Sequence, residues 1–269
     1  MSFVPAVPLG GFAGWAMLKR TAETQKAAFN KQAQVLRDED YFRANIGKVN
    51  SAEDLVKDRR LLGVALGAFG LEADINNRFF IRKVLEDGTL RDSALSLKLS
   101  DKRYREFSAA IGFGDFGTGR IRMSDFPDRI LAAWKERQFE AAVGQVSDSL
   151  RLAMNAEREI GKIASANLTE DARWFTLMGQ RPLRQVLETA FGLPTSFGTL
   201  DIDKQREVLS RKAEAMFGDG GVAQFANPDR IQDLIKRYLL RDQISAATSL
   251  SPASAALSLV SQIAASRRR

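Results

Sequence analysis

The sequence predicts an all-α protein: a helical bundle with a long central helix and two duplicated helical units. Three observations predict it. Apolar residues recur at spacings of three and four along most of the chain, while the alternation expected of strands is nearly absent. No proline interrupts the stretch between Pro127 and Pro182. Two short segments recur in the same order, one at 68–71 and 190–193, the other at 127–130 and 228–231.

The elements follow in order. Met1 to Leu18 is apolar but carries Pro5, Pro8, Gly10, Gly11 and Gly14, and without a basic start it makes a poor secretory signal. From Trp15, a heptad-like series of Trp15, Leu18, Ala22, Gln25, Phe29, Gln32 and Leu36 falls on one helical stripe. Its two glutamines weaken it as a core seam and mark a partner-facing helix; packing against its own domain is the equal alternative. Ser51 and Asp54 form a capping pair for a helix through Leu61, Leu62, Ala65 and Leu66, stopped by Gly70. A helix over 79–86 ends at Asp87-Gly88. Ser100 caps another with Tyr104, Phe107, Ala110 and Ile111 inward. A glycine-rich stretch, Gly112 to Gly119, comes next.

Ile130, Trp134, Phe139, Val143, Val146, Leu150, Met154, Ile160 and Ala164 then mark the central helix, from Asp128 to about Ser165. It would span ~55 Å at 1.5 Å per residue, with Gly144 and Gly161 as its weak points. Helices resume at about 170–178, 182–191, 201–217 (stopped by Gly218) and 228–243. Pro252 heads a last helix with Leu257, Val260 and Ile263 on one face and Arg267, Arg268 and Arg269 at its negative end.

This gives five segments: an N-terminal amphipathic segment, 1–50; a first helical unit, 51–140; a connecting long helix, 141–169; a second helical unit, 170–243; and an uncharged tail, 244–269, ending in Arg-Arg-Arg. Duplication rests on Ala68-Phe69-Gly70-Leu71 recurring as Ala190-Phe191-Gly192-Leu193 and Pro127-Asp128-Arg129-Ile130 as Pro228-Asp229-Arg230-Ile231. Chance, or convergence on good helix caps, is the alternative.

Composition limits the chemistry. The 269 residues include no histidine and no cysteine. Disulfides, thiolate nucleophiles, histidine bases and sites needing histidine or cysteine ligands are therefore excluded. Carboxylate, lysine or serine chemistry remains, or none. The net charge is +7, and three of those charges are the terminal arginines. Nucleic-acid binding needs a clustered basic face, which the interspersed charges do not supply. Residues 243–266 carry no charge but are too rich in serine and alanine to span a bilayer, so no membrane insertion is expected.

Gly112-Phe113-Gly114-Asp115-Phe116-Gly117 fits the spelling of a dinucleotide loop. That chemistry needs a strand before the loop and a helix after it. Here a helix precedes, which reads as a helix–helix connection. Asp115, Asp125, Asp128 and Glu136 are conceivable oxygen ligands without EF-hand spacing. Trp15, Trp134 and Trp174 read as core. No catalytic, cofactor-binding or metal-binding residue is assigned.

One resemblance covers nearly the whole chain. It is carried by Val7-Pro8-Leu9-Gly10-Gly11-Phe12-Ala13-Gly14-Trp15, Tyr41-Phe42-Arg43, Asp58-Arg59-Arg60-Leu61-Leu62, Phe80-Ile81-Arg82-Lys83-Val84-Leu85-Glu86, Asp101-Lys102-Arg103-Tyr104-Arg105-Glu106-Phe107, Arg137-Gln138-Phe139-Glu140, Leu150-Arg151-Leu152-Ala153-Met154 and Glu188-Thr189-Ala190-Phe191-Gly192-Leu193-Pro194. On these residues the chain resembles an alphaproteobacterial family of unknown function whose genes lie among flagellar genes. The resemblance implies a flagellar setting and no catalytic residues.

The expected function is a non-enzymatic structural or assembly protein of the flagellum that works by helix–helix contact. Its partners would be flagellar components or further copies of itself. A cytoplasmic adaptor or export chaperone for flagellar proteins is the alternative, and a basic nucleic-acid-binding helical protein comes last. Both the cytoplasm and the flagellum, reached without a cleaved signal, stay open as locations. The candidate interaction residues are Trp15, Leu18, Ala22, Phe29 and Leu36 near one end and Leu257, Val260 and Ile263 near the other.

Overall fold

Helices carry the chain through the computed structural model, which describes residues 3–117 and 119–249. In chain order they are α1 (Gly11–Asn30), α2 (Ala33–Asn45), α3 (Ala52–Lys57), α4 (Arg59–Gly67), α5 (Arg78–Asp87), α6 (Leu95–Lys98), α7 (Arg103–Ile111), α8 (Phe113–Phe116), α9 (Phe126–Val146), α10 (Asp148–Ala164), α11 (Glu170–Gly179), α12 (Arg181–Phe191), α13 (Ile202–Phe217) and α14 (Pro228–Ser249). Short 3₁₀ turns join several of them, and no strand occurs among the described residues. Contacts gather these helices into two units. The first takes described residues within 3–8, 16–151 and 178–180; the second takes those within 9–15, 152–177 and 181–249.

In the first unit the Ser51 hydroxyl accepts the Asp54 N–H at 3.1 Å, and the Asp54 carboxylate accepts the Asn50 N–H at 3.1 Å. This pair starts α3, but the helix does not run on to Gly70. Asp58 turns extended, at φ −88° and ψ 100°, and its carboxylate accepts the N–H groups of Arg60 and Leu61 to start α4. Aspartate is as good an N-cap as serine, so the second start competes successfully with continuation. α4 ends in left-handed Gly70, φ +70°, with the Leu71 N–H returning to the Leu66 carbonyl at 3.0 Å. α9 packs on α4 here: Arg137 Nε donates to the Ala68 carbonyl at 3.0 Å, and a Cβ on Gly67 would lie 2.7 Å from the Trp134 ring. Leu62, Ala65, Ile81, Phe107 and Phe126 are buried in this unit.

Two sequence expectations change. Ser100 does not cap α7: the helix starts after Lys102, whose side chain caps nothing, and the Asp101 carboxylate just before it accepts the Arg103 N–H at 3.0 Å. The central run is two helices that meet at Ser147, which is extended at φ −152° and ψ 108°. Neither Gly144 nor Gly161 makes the break. The Ser147 hydroxyl faces the Leu150 N–H at 3.4 Å as a cap for α10, and Gly144 leaves room for the Arg151 side chain, whose Cδ would lie 2.5 Å from a Cβ there.

In the second unit α12 packs along α14. α12 ends in left-handed Gly192, φ +63°, with the Leu193 N–H returning to the Glu188 carbonyl at 2.9 Å. Both Phe-Gly-Leu segments thus close a helix with one and the same cap. Pro127 is the second residue of α9 and Pro228 the first of α14. Asp201 caps α13 through the Asp203 N–H at 2.9 Å, and Gly218, φ +82°, ends it. Trp174 is buried, its indole N–H donating to the Gly220 carbonyl at 3.2 Å.

Candidate functional site

Pro5 and Pro8 keep residues 3–8 out of helix, because proline supplies no N–H and clashes with a preceding turn. In the first unit this arm, turned at Ala6 where the Val7 N–H returns to the Pro5 carbonyl at 3.1 Å, lies along α1 and the turn that follows it. Buried Gln25 grips the arm's backbone from both sides: its Oε1 accepts the Ala6 N–H at 2.8 Å and its Nε2 donates to the Ala6 carbonyl at 3.2 Å. Nε2 also donates to the Thr21 hydroxyl at 2.8 Å. Gln32 Oε1 accepts the Phe3 N–H at 3.2 Å. The Phe3 ring meets Phe29 edge-on at 5.7 Å between centroids and Phe139 at 6.4 Å, while Phe29 and Phe139 meet at 5.8 Å. Edge-to-face rings of this kind add about 0.5–1.5 kcal/mol beyond area burial. The glutamines that made the stripe look partner-facing hold a polypeptide backbone, and it belongs to the same chain.

The candidate interaction residues are therefore distributed. Leu18 and Phe29 are buried and Ala22 is half-buried. Trp15, in the second unit, is buried, with its indole N–H donating to Gln232 Oε1 at 3.0 Å. The stripe is also interrupted. α1 ends at Asn30 and α2 begins at Ala33, so Leu36 sits on a different helix, 44% exposed. Leu257, Val260 and Ile263 lie outside the described residues, as do Pro252 and the terminal arginines. Phe3 and Ala6 were missed by sequence reasoning. Their signal was the pairing of an aromatic-proline segment with heptad-spaced glutamines.

A charged cleft lies in the same unit, lined by α1, α2 and α9, with a volume of about 340 Å³. Its cations and carboxylates are matched. Lys26 Nζ lies 2.8 Å from Glu136, Arg43 2.6 Å from Asp128 and 3.0 Å from Glu39, and Lys135 pairs with Glu39. Burial alone would pull the Lys26 ammonium down, but Glu136 and Glu23 outweigh it and hold it above its ordinary value. Burial would likewise push Glu39 up, yet Lys135 and Arg43 leave it below the ordinary carboxylate range. Lys26 and Glu39 are thus held in their charged forms, as stitches between helices. Of the four conceivable metal ligands, Asp128 and Glu136 sit in these pairs and Asp125 pairs with Arg129 at 3.1 Å.

Asp115, the fourth, has a different task. Its carboxylate accepts the Thr89 N–H and hydroxyl, both at 2.7 Å, and the Leu90 N–H at 3.1 Å. Burial pushes its carboxyl up, and these hydrogen bonds more than reverse that, leaving it below its ordinary value. The glycines complete the joint. Gly114 abuts Gly88, whose Cα would be 2.6 Å from a Cβ on Gly114. The glycine-rich motif is a helix–helix connection, and it leaves Leu90 and Phe116 70% and 50% exposed close to the Asp115 cap. The Arg120 guanidinium lies over the Phe116 ring at 4.7 Å.

These features define an all-α protein of two helical units, with an N-terminal arm clamped to the first. A family model described as "Protein of unknown function (DUF1217)" matches residues 68–231, and the chain belongs to that family. Its fold is similar to an X-ray crystal structure of a protein from Agrobacterium tumefaciens, an alphaproteobacterium, with a TM-score of 0.73 and 24% sequence identity. That likeness covers 90% of this chain and 99% of the other, and at this identity it speaks to fold alone. No curated protein matches the sequence. Among the described residues, no helix is long and apolar enough to cross a membrane. Nor do three or more histidine, cysteine, aspartate or glutamate side chains gather there in a group that could hold a metal ion.

Proposed function

We propose that this is a non-enzymatic structural or assembly protein that works by contact with other proteins, either flagellar components or further copies of itself. The observation that carries this is the surface of α1 and the turn after it, which grips a non-helical polypeptide through its backbone with Gln25 and Gln32 and seats an aromatic between Phe29 and Phe139. Backbone capture with a side-chain pocket is how proteins recognise peptide segments. The exposed pair Leu90 and Phe116, fixed in place by Asp115, adds an apolar contact point. The flagellar setting rests on the sequence resemblance. The twin Phe-Gly-Leu caps favour descent of the two units from one duplicated ancestor.

The test is to fractionate cells into cytoplasm, basal body and filament and probe for this chain. Recovery in basal body or filament is expected. Recovery in the cytoplasm alone, bound to a single export substrate, would replace this proposal with the adaptor reading. Deleting the N-terminus through Leu36 is a poor companion test, because it strips Leu18 and Phe29 from the core. Leu90→Asp and Phe116→Asp change the surface instead, and incorporation into the flagellum should fall while helix content is kept.

A further inference from the structure

We propose that residues 3–8 dock in trans as well as in cis, joining copies of this chain by exchange of the N-terminal arm. This deepens the assembly reading by naming the partner, a second copy, and the surface, the groove of Gln25 and Phe29 on α1 and Gln32 in the turn after it. The contacts that hold the arm are two hydrogen bonds between Gln25 and the Ala6 backbone, one from the Phe3 N–H to Gln32, and the Phe3 ring on Phe29 and Phe139. An arm from a second copy has the same atoms and makes the same set, so exchange loses no contact. Pro5 and Pro8 fix their own φ before the arm binds, so moving it adds little ordering cost. Its tether is short and open: Leu9 is 54% exposed, and a Cβ on Gly10 would meet nothing within 4 Å. Only tethering separates the two states. A short flexible tether supplies an effective concentration on the order of 1 mM, so trans docking takes over near that concentration or where an assembly gathers copies locally.

Hinge shortening tests this with full-length protein. Deleting Leu9 and Gly10 removes about 7 Å of reach and disfavours the arm's return to its own groove. Light scattering after size exclusion should find the shortened chain dimeric or larger at tens of micromolar, while the unaltered chain associates only on the order of 1 mM. Adding Gln25→Ala or Phe3→Ala to the shortened chain should weaken association by at least about tenfold. A shortened, folded chain that stays monomeric to the millimolar range would overturn the proposal. So would association that ignores both substitutions. If the shortened chain fails to fold, the unaltered chain near 1 mM with the same two substitutions decides by the same criteria. Loss of exchange with the protein still recovered in basal body or filament would overturn the exchange and leave the assembly reading standing.

Discussion

Replacing Gln25 with alanine isolates the arm's grip from the rest of the fold. Gln25→Ala removes the bond from the Ala6 N–H and the bond to the Ala6 carbonyl. Each neutral hydrogen bond contributes about 1 kcal/mol net. Ala6 is exposed, so its freed groups turn to water and no buried orphan adds a further penalty. Thr21 loses the Gln25 donor but keeps its own donation to the Met17 carbonyl at 2.9 Å. Together the loss is about 2 kcal/mol, or about 30-fold in the equilibrium that opens the arm. Amide hydrogen exchange reads this locally. The Phe3 amide, still held by Gln32, should exchange about 30-fold faster, the Ala6 amide, left without its acceptor, should lose its protection, and the Leu62 amide in α4 should keep its rate. An unchanged Ala6 amide would refute the clamp. A uniform acceleration reaching α4 would show that Gln25 supports the whole unit instead.

Other expectations concern the core and the glycine joint. Phe29→Ala opens the aromatic cluster and should cost about 3–5 kcal/mol in urea unfolding. Gly114→Ala forces a methyl into the Gly88 backbone and should cost about 2–4 kcal/mol. Gly117→Ala meets open space and should show only the positive-φ cost of about 1–2 kcal/mol, so equal losses at the two sites would refute the close-approach argument. The Asp115 carboxyl is depressed, so its contribution is full above the unfolded carboxylate value of about 4 and fades as pH falls through the lower folded value. Asp115→Asn should therefore lower the urea midpoint at pH 7 and narrow the gap between the midpoints at pH 7 and pH 3. An unchanged gap would count against the cap.

Much of the helical layout was legible because its signals are local. Gly70, Gly88 and Gly218 stop helices where their spacing suggested, each at positive φ. Ser51 caps where the capping pair placed it. What escaped were signals of equal local strength competing within one apolar run. Asp58 and Ser147 each offer a capping oxygen inside a stripe that continues past them, and periodicity cannot see a break that preserves the buried face. The candidate site was half legible. Gln25 and Gln32 stood out as polar residues at core positions, a pattern that asks for a polar partner. The partner, a backbone 19 and 29 residues away, leaves no periodic mark. The charged cleft was illegible, since Arg43 and Asp128 lie 85 residues apart.

The Gly88–Gly114 contact also bears on how this family can vary. Two backbones touch there with no side chain between them, so no neighbouring residue can shrink to accommodate a change. A lineage that replaces either glycine must also shift α8 against the end of α5. Across related sequences, the two positions should accordingly stay glycine together, or change together with an insertion or deletion between Gly88 and Gly114.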